Sequence, residues 1–284
     1  MGRLRDRMIM DMELKNLSPR TIKTYLYWMK QFTVHYGKSP AQLGDEEIRD
    51  YLHYLLKTQR ASQASMNQAY SALKFFYERT LQREWNGSKI PRSKIPKKLP
   101  VVLSQDEVQR IFTATKNLKH LAAFMIIYSG GLRVGEAVKL EVSDIDRERM
   151  TIRVRQGKGA KDRYTILGER ALEVVREYWY AYHPQNWLFP GEKTGNYLSV
   201  SSIQRAFSGT LRRAGISKNA SVHTLRHSFA THLLERGIDL YFIQRLLGHT
   251  SPKTTSVYIH VARKNIAQIK SPIDFLDNNE KPKP

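Results

Sequence analysis

The stretch that interrupts an otherwise helical pattern runs MTIRVRQGKGAKDRYTIL from Met150 to Leu167. Apolar and polar residues alternate over 150–155 and again over 164–167, which is the period of a half-buried strand. The eight residues between them, 156–163, contain two glycines and three basic residues. The stretch therefore predicts a β-hairpin with a basic loop.

Helical periodicity flanks this hairpin on both sides. Ser104 and Glu107 form a capping signal that opens a helix, and an apolar run follows at 121–128. After the hairpin, apolar residues recur at helical spacing over 170–180, 201–214, 224–235 and 241–247. Residues 101–284 are therefore expected to form one mainly helical domain with a small sheet, followed by a C-terminal tail.

Residues 86–100, NGSKIPRSKIPKKLP, contain three prolines, one glycine, five basic residues and no acidic residue. Because proline disfavours helix, the stretch predicts an extended basic linker. A solvated connector is one interpretation. The other is a strap along a phosphate backbone, in which Lys94, Lys97 and Lys98 would bind DNA.

Residues 1–85, before the linker, predict a small helical domain. Ser18 is placed to cap a helix that has Pro19 in its first turn. Two further helical patterns run through 44–55 and 62–77. The chain is thus expected to be mainly α-helical with a small β-sheet, in two domains joined by a linker.

The composition indicates a folded protein with a polyanionic partner. The 284 residues include 47 Lys and Arg against 26 Asp and Glu, a formal net charge of +21, while 41% are hydrophobic. Enough apolar residues are present to build a core, so the charge lies on a globular protein. The absence of cysteine excludes disulfides, thiolate metal sites and a cysteine nucleophile.

The basic N-terminus, Met1 to Arg7, is followed by only three apolar residues, too few for the apolar region of a signal peptide. The apolar run at 121–128 is also far shorter than the roughly 20 residues that cross a bilayer. The sequence therefore predicts a cytoplasmic protein that is not bound to a membrane.

Three motifs carry polar groups suited to chemistry. The first, GGLRVGE at 130–136, sets Arg133 after a glycine turn, and the second, HTLRH at 223–227, sets His223 and Arg226 on one helix face. The third, LGH at 247–249, precedes Tyr258 by nine residues. Each motif alone is weak evidence, because arginine, histidine and tyrosine also occur in these settings for structural reasons.

Several other chemistries fit poorly. His223 and His227 could reach one zinc ion, but Arg226 between them would repel it. The sequence Gly37-Lys38-Ser39 has the ending of a phosphate-binding loop, but Phe32 stands where its first glycine belongs. Asp144 and Asp146 have no obvious third acidic partner for two metal ions. No metal site, ATP site or cofactor is predicted.

Taken in order, six residues resemble the catalytic set of the tyrosine recombinase family, also called phage-type integrases, and in particular its Xer-like core recombinases. They are Arg133, Lys158, His223, Arg226, His249 and Tyr258. The resemblance covers almost the whole chain. It implies a helical core-binding, SAM-like N-terminal domain and an α+β catalytic domain that together form a clamp around DNA.

The resemblance implies cleavage and rejoining of DNA through a covalent 3′-phosphotyrosyl intermediate, without ATP or metal. Tyr258 would be the nucleophile, and two arginines would stabilise charge on the phosphate in the transition state. The proton for the leaving 5′-oxygen is assigned to Lys158, with Lys161 as the local rival. His223 is the candidate base for Tyr258, and His249 would contact the phosphate or orient its neighbours.

The expected partner is double-stranded DNA carrying a specific core site. Exchange between two duplexes implies a homotetramer in the synapse, and the free protein is expected to be a monomer or weakly associated. Lys161 and Arg163 in the hairpin are predicted DNA contacts, together with the linker lysines. Integration, excision and resolution all remain open as biological roles.

Other interpretations remain beside these. A non-catalytic DNA-binding regulator, a type IB topoisomerase and a metal-dependent nuclease are alternative functions. His227 and His232 are interpreted as helix-packing histidines with satisfied hydrogen bonds, and Glu136 as the partner of a nearby cation. The apolar cluster at 273–276 either docks on a neighbouring protomer or packs on its own domain.

Overall fold

The computed structural model describes residues 2–93, 99–155, 162–192, 195–249, 251–259 and 261–262. Residue contacts divide the chain into two units, 1–97 and 98–284. Each unit has its own hydrophobic core. The linker lysines Lys94, Lys97 and Lys98, the hairpin lysines Lys158 and Lys161, and the apolar cluster at 273–276 lie outside the described residues.

The N-terminal unit is helical. Its helices are α1 (Gly2–Leu14), α2 (Pro19–Tyr36), α3 (Asp45–Lys57) and α4 (Gln63–Phe75), with a 3-10 turn at Pro40–Gln42 and a π turn at Phe76–Thr80. The core contains the buried side chains of Phe32, Tyr51 and Leu73. The three helical patterns predicted between residues 18 and 77 are confirmed.

Local signals set the ends of α2. The Ser18 hydroxyl accepts a hydrogen bond from the Thr21 amide at 3.2 Å, which is the predicted N-cap. Gly37 ends the helix with a φ of 62°. Helix α1 was not predicted. It buries only Met8 and Met12, one turn apart, which is too weak a pattern to identify a helix among its many polar residues.

The first part of the stretch predicted as a linker packs on the N-terminal unit. Ile90 is fully buried in its core. The Arg92 guanidinium donates to the Asn67 side-chain oxygen at 2.9 Å, and the Asn67 amide donates to the Ser93 carbonyl at 3.2 Å. Residues 86–93 are therefore held by packing and hydrogen bonds, although their composition is that of an extended connector.

The C-terminal unit contains eight helices within the described residues. They are α5 (Gln105–Thr113), α6 (Leu118–Gly130), α7 (Val134–Ala137), α8 (Glu169–Tyr182), α9 (Val200–Arg213), α10 (Val222–Glu235), α11 (Leu240–Leu247) and α12 (Pro252–Thr255). Short 3-10 turns occur at Val142–Asp144 and Ser256–Tyr258. The capping box predicted for α5 is present, with the Ser104 amide donating to the Glu107 carboxylate at 2.7 Å.

The predicted hairpin is confirmed, and it belongs to a three-stranded antiparallel sheet in the order β1 (Ile145–Asp146), β2 (Thr151–Val154) and β3 (Arg163–Ile166). In the register of β2 and β3, Val154 lies opposite Arg163. The two-residue strand β1 is too short to show alternation, so it carries no sequence signal. Arg163 begins the strand that follows the basic loop.

Helix α6 is the centre of this unit. Its residues 122–127 are all buried, and it packs against α8 and α10. A smaller cluster beside it contains Phe229, Ala230, Ile243, Leu247 and Tyr258. Helix α10 therefore connects the main core to the segment that carries Tyr258.

Candidate active site

Arg226 is fixed by the ends of two helices. Its side chain is only 1% exposed. Its Nη1 donates to the Gly131 carbonyl at 2.6 Å, at the end of α6, and its Nη2 donates to the Leu247 carbonyl at 2.7 Å, at the end of α11. Carbonyls at helix C-termini carry partial negative charge and stabilise a cation. Burial and the charge of Arg133 lower the pKa of Arg226 to about 9, so Arg226 is a cation at neutral pH.

Glu136 joins three arginines. Its carboxylate accepts hydrogen bonds from Arg133 Nη1 at 2.6 Å and from Arg163 Nη1 and Nη2 at 3.0 and 2.8 Å. Arg226 Nη1 lies 3.6 Å from Glu136 Oε2. Burial alone would raise the pKa of Glu136, but the hydrogen bonds and charges of Arg163 and Arg133 lower it to about 2. The interpretation of Glu136 as the partner of a cation is confirmed.

His249 is held in one tautomer. Arg226 Nη2 lies 3.0 Å from His249 Nε2, and since a guanidinium can only donate, Nε2 accepts. The proton of the neutral ring is therefore on Nδ1, which donates to the hydroxyl of the buried Thr255 at 2.9 Å. Burial, followed by the charges of Arg226, Arg133 and Arg163, lowers the pKa of His249 to about 3. His249 is therefore neutral and orients Arg226.

Tyr258 ends the 3-10 turn after α12 and is 2% exposed. Its hydroxyl lies 3.1 Å from His227 Nδ1. The rings of His227 and His223 are in edge contact, with centroids 4.6 Å apart. Burial raises the pKa of Tyr258, whereas the charges of Arg226 and Arg133 lower it. The hydroxyl is therefore in contact with His227 and under the influence of the charges of Arg226 and Arg133.

The described residues of the six-residue set come together in one network. Arg133 and Arg226 meet through Glu136, His249 binds Arg226, and His223 reaches Tyr258 through His227. The hairpin loop that carries Lys158 lies between β2 and β3 of the same unit. Lys158 itself lies outside the described residues.

Arg163 is not arranged as a surface cation. Its side chain is 10% exposed, and besides Glu136 it donates from Nε to the Leu246 carbonyl at 2.9 Å. The predicted DNA contact gains no support from this position. The sequence predicted an exposed cation, but Arg163 is paired because Glu136, 27 residues away in sequence, supplies a buried carboxylate.

His227 and Thr255 are site residues that the sequence argument missed. Both histidines interpreted as packing residues do have hydrogen bonds, since His232 Nδ1 lies 2.8 Å from the Tyr128 hydroxyl. The hydrogen bond of His227, however, is to Tyr258. The available signal was the spacing of His223 and His227 by four residues, which places them on one helix face.

Among the described residues, no group of three or more His, Asp or Glu side chains is arranged to hold a metal ion. None of the helices in the described part of the chain is long and apolar enough to cross a membrane. The site is instead cationic, with Arg133, Arg163 and Arg226 around the single carboxylate of Glu136.

Known proteins share both the sequence and the fold. Residues 101–265 match the Phage integrase family, and residues 4–87 match the N-terminal SAM-like domain of phage integrases. The Sinorhizobium fredii protein y4qK is 42% identical over 274 residues, which cover 96% of this chain and 89% of y4qK. The tyrosine recombinase XerA of Pyrococcus horikoshii is 34% identical over 263 residues, which cover 90% of this chain and 88% of XerA.

The fold is also that of lambda integrase. In the crystal structure of a lambda integrase tetramer bound to a Holliday junction, one chain superposes with a TM-score of 0.72 at 20% identity, covering 95% of this chain and 80% of that one. The expected architecture, a SAM-like helical domain followed by a mainly helical catalytic domain with a small sheet, is confirmed. The chain therefore belongs to the phage integrase family and is a tyrosine recombinase.

Proposed function

We propose that Tyr258 of this site-specific recombinase is the nucleophile that cuts DNA. One observation carries the proposal: the Tyr258 hydroxyl lies beside α10, which also supplies the buried cation Arg226. A phosphate brought to Arg226 and Arg133 would lie next to that hydroxyl. Two guanidinium groups match the non-bridging oxygens of a five-coordinate phosphorus in charge and in hydrogen-bond geometry.

The reaction balances without an added cofactor. A bond forms between Tyr258 Oη and phosphorus, and the bond from phosphorus to the 5′-oxygen breaks. The leaving oxygen takes a proton, which we assign to Lys158 by family resemblance, with Lys161 as its rival. The 3′-phosphotyrosyl bond conserves the energy of the phosphodiester, so a 5′-hydroxyl from another strand can reverse the step without ATP or a metal ion.

We assign His249 to the positioning of Arg226. Its Nε2 accepts a hydrogen bond from Arg226, and its Nδ1 donates one to Thr255 in α12. The position of the Arg226 guanidinium therefore depends on the position of α12. Two histidines are available to accept the proton of Tyr258. They are His223, which is exposed, and His227, which is in hydrogen-bond contact with the hydroxyl.

The covered hydroxyl implies a movement on binding DNA. Tyr258 is 2% exposed and packs with Phe229, Ile243 and Leu247. A scissile phosphate therefore reaches Oη only after the side chains that cover the hydroxyl have moved aside.

The proposed substrate is double-stranded DNA with a specific core site. The net charge of +21 supports a polyanionic partner. We propose that the two domains close around the duplex as a clamp and that Lys94, Lys97, Lys98 and Lys161 contact its backbone. Arg163, also predicted from the sequence as a DNA contact, is paired with Glu136 instead. By analogy with the lambda integrase tetramer on a Holliday junction, four protomers would assemble in the synapse. We propose that this recombination takes place in the cytoplasm.

Formation of an SDS-resistant protein–DNA adduct tests this function. Wild-type protein and Tyr258→Phe are incubated with DNA fragments flanking the encoding gene, in the presence of EDTA. An adduct with wild-type protein alone is the expected result, and it identifies the fragment that carries the site.

Three other outcomes would contradict the proposal. An adduct retained by Tyr258→Phe would mean that another residue is the nucleophile. Tight and specific binding of a fragment without any adduct would favour a DNA-binding regulator. Loss of the wild-type adduct in EDTA would instead indicate a metal-dependent reaction.

A further inference from the structure

His227 is in direct contact with the atom proposed to attack DNA. Its Nδ1 lies 3.1 Å from the Tyr258 hydroxyl, and the two ring centroids are 5.8 Å apart. His227 follows Arg226 in α10, so the same helix holds the phosphate-binding cation and this imidazole. The distance is within the reach required for direct proton transfer between a base and its acid.

The ring of His227 is neutral in the free protein, and its low pKa makes it a weak base until DNA is bound. Burial, followed by the neighbouring His223 and Arg226, lowers the pKa of His227 to about 4, so the ring is neutral at pH 7. A neutral imidazole has one nitrogen with a free lone pair, and a tyrosine hydroxyl can donate to it. A bound DNA phosphate would add negative charge beside Arg226 and Arg133, and this charge favours the protonated ring.

His223, the candidate base from the sequence, lies one step further from the nucleophile. Its side chain is exposed, and its ring contacts the ring of His227. Within the described part of the chain, the histidine hydrogen-bonded to the Tyr258 hydroxyl is His227 and not His223. His223 is therefore better placed to face solvent or the incoming DNA than to take the phenolic proton.

We propose that His227 is a catalytic residue that accepts the Tyr258 proton at Nδ1 as Oη attacks phosphorus. The proposal rests on the proposed function. When the phosphotyrosyl bond is later broken by a 5′-hydroxyl, the same proton returns from His227 to the departing Oη. The proton that Nδ1 takes up during cleavage is therefore given back during rejoining. The leaving 5′-oxygen receives its proton from a separate donor.

The test measures the rate of adduct formation on the fragment that wild-type protein cleaves. His227→Asn retains an oxygen near the position of Nδ1 that can hold the hydroxyl, but an amide does not take up a proton at neutral pH. His227→Ala removes both functions. We expect both variants to slow adduct formation by roughly 100-fold or more, the usual contribution of general base catalysis. Their affinity for the fragment is expected to stay within about threefold of wild type.

A second substrate separates the two proton transfers. In this substrate a sulfur atom replaces the 5′-bridging oxygen at the scissile phosphate. A thiolate leaves without a proton donor because the pKa of a thiol, about 8.5, is far below that of an alcohol. The sulfur is expected to restore cleavage to Lys158→Ala and to leave the defect of His227→Asn unchanged.

His232→Asn is the matched control. His232 lies on the same helix, is buried, and also holds a tyrosine hydroxyl through Nδ1, 2.8 Å from Tyr128. Loss of the hydrogen bond between His232 and Tyr128 tests whether removal of any histidine–tyrosine hydrogen bond from α10 slows adduct formation. We expect the rate of His232→Asn, corrected for the folded fraction, to stay within about threefold of wild type.

Several results would overturn the proposal. A wild-type rate for His227→Asn would reduce His227 to a positioning residue, and a faster rate for His227→Ala would mean that the hydrogen bond only restrains Tyr258 in the free protein. If the bridging sulfur restored the cleavage rate of His227→Asn, His227 would be the proton donor to the leaving 5′-oxygen and not the base for Tyr258. If wild-type protein binds a fragment tightly and specifically without forming an adduct, the proposed function fails together with this proposal, whereas a wild-type adduct with an unaffected His227→Asn overturns this proposal alone.

Discussion

Arg163 and Glu136 form a bidentate ion pair with nitrogen to oxygen distances of 3.0 and 2.8 Å. Arg163 begins β3, directly after the loop that carries Lys158, and Glu136 lies in the short helix α7 that follows Arg133. The pair therefore ties the base of the hairpin to the arginines proposed to bind phosphate. A further bond from Arg163 to the Leu246 carbonyl extends this connection to the end of α11.

Glu136→Gln is expected to destabilise the C-terminal unit by roughly 3 to 5 kcal/mol, because it leaves buried Arg226 and Arg163 without their carboxylate. Urea unfolding at pH 7 measures the loss. Asp106→Asn is the control, since Asp106 is 81% exposed and pairs with Arg110 at the surface, where an ion pair contributes about 0 to 1 kcal/mol. Equal stability of the two variants would contradict the buried role of Glu136.

Arg163→Lys is expected to slow adduct formation without changing the salt dependence of DNA binding. Lysine cannot supply the two parallel hydrogen bonds to Glu136 or the third to Leu246. Fluorescence anisotropy at several salt concentrations measures binding. If Arg163 contacts a phosphate instead, Arg163→Gln, which also removes the charge, decreases the magnitude of the slope of log K against log salt by about 1. That result would support the DNA contact first predicted for this residue.

Gly131→Ala is expected to disrupt the Arg226 site. Gly131 has a φ of 61°, and an added Cβ would lie 2.4 Å from Phe229 Cδ1. Gly215→Ala is the control, because its φ of 64° imposes the same backbone strain with no atom within 4 Å of the Cβ. We expect a loss of about 1 kcal/mol for Gly215→Ala and an additional 1 to 3 kcal/mol for Gly131→Ala. Thermal unfolding measures the loss of stability in both variants. Equal losses would show that the Cβ added at Gly131 does not clash with Phe229.

Stability is expected to fall between pH 7.5 and pH 5. The pKa values of His249 and His227 are lowered to about 3 and about 4 in the folded chain. An unfolded histidine titrates near 6.5, so the unfolded state binds more protons as the pH falls below that value. Each of the two residues removes up to about 2 kcal/mol of stability by pH 5. Urea unfolding at both pH values measures the change.

The double variant His227→Gln, His249→Gln should flatten that pH dependence. The remaining slope comes from groups such as His120 and His232, whose pKa values are also lowered by burial. Glu136 contributes no change over this interval, because its folded pKa is about 2 and its stabilisation is lost only as the pH falls below the unfolded value near 4.3. An unaltered slope in the double variant would contradict this assignment.

DNA affinity is expected to depend steeply on salt. With a net charge of +21, the chain should displace several counterions from a duplex. Six to ten phosphate contacts correspond to a loss of about 10³ to 10⁵ in affinity between 50 and 200 mM salt. Fluorescence anisotropy with a labelled duplex measures the affinity at each salt concentration. EDTA should leave this salt dependence unchanged. A shallow dependence would show that few lysines and arginines reach the backbone.

Much of the local structure could be predicted from the sequence because its signals act over a few residues. Ser18 and Pro19 mark the start of α2, Ser104 and Glu107 form a capping box, and alternating residues mark β2 and β3. The family motifs also select Arg133, Arg226, His249 and Tyr258, which the fold brings into one network. Helix α1 escaped prediction because two buried methionines give almost no periodic signal.

The partners within the site were decided by tertiary structure. His227 meets Tyr258 across 31 residues, Arg163 meets Glu136 across 27, and Arg226 meets the Gly131 carbonyl across 95. Periodicity reports which face of an element is buried, and it contains no information on which polar group from a distant element will meet that face. Packing of α10 against α6, α11 and the 3-10 turn at Ser256–Tyr258 makes these choices, because a buried charge or hydroxyl is stable only where a partner lies within hydrogen-bond distance.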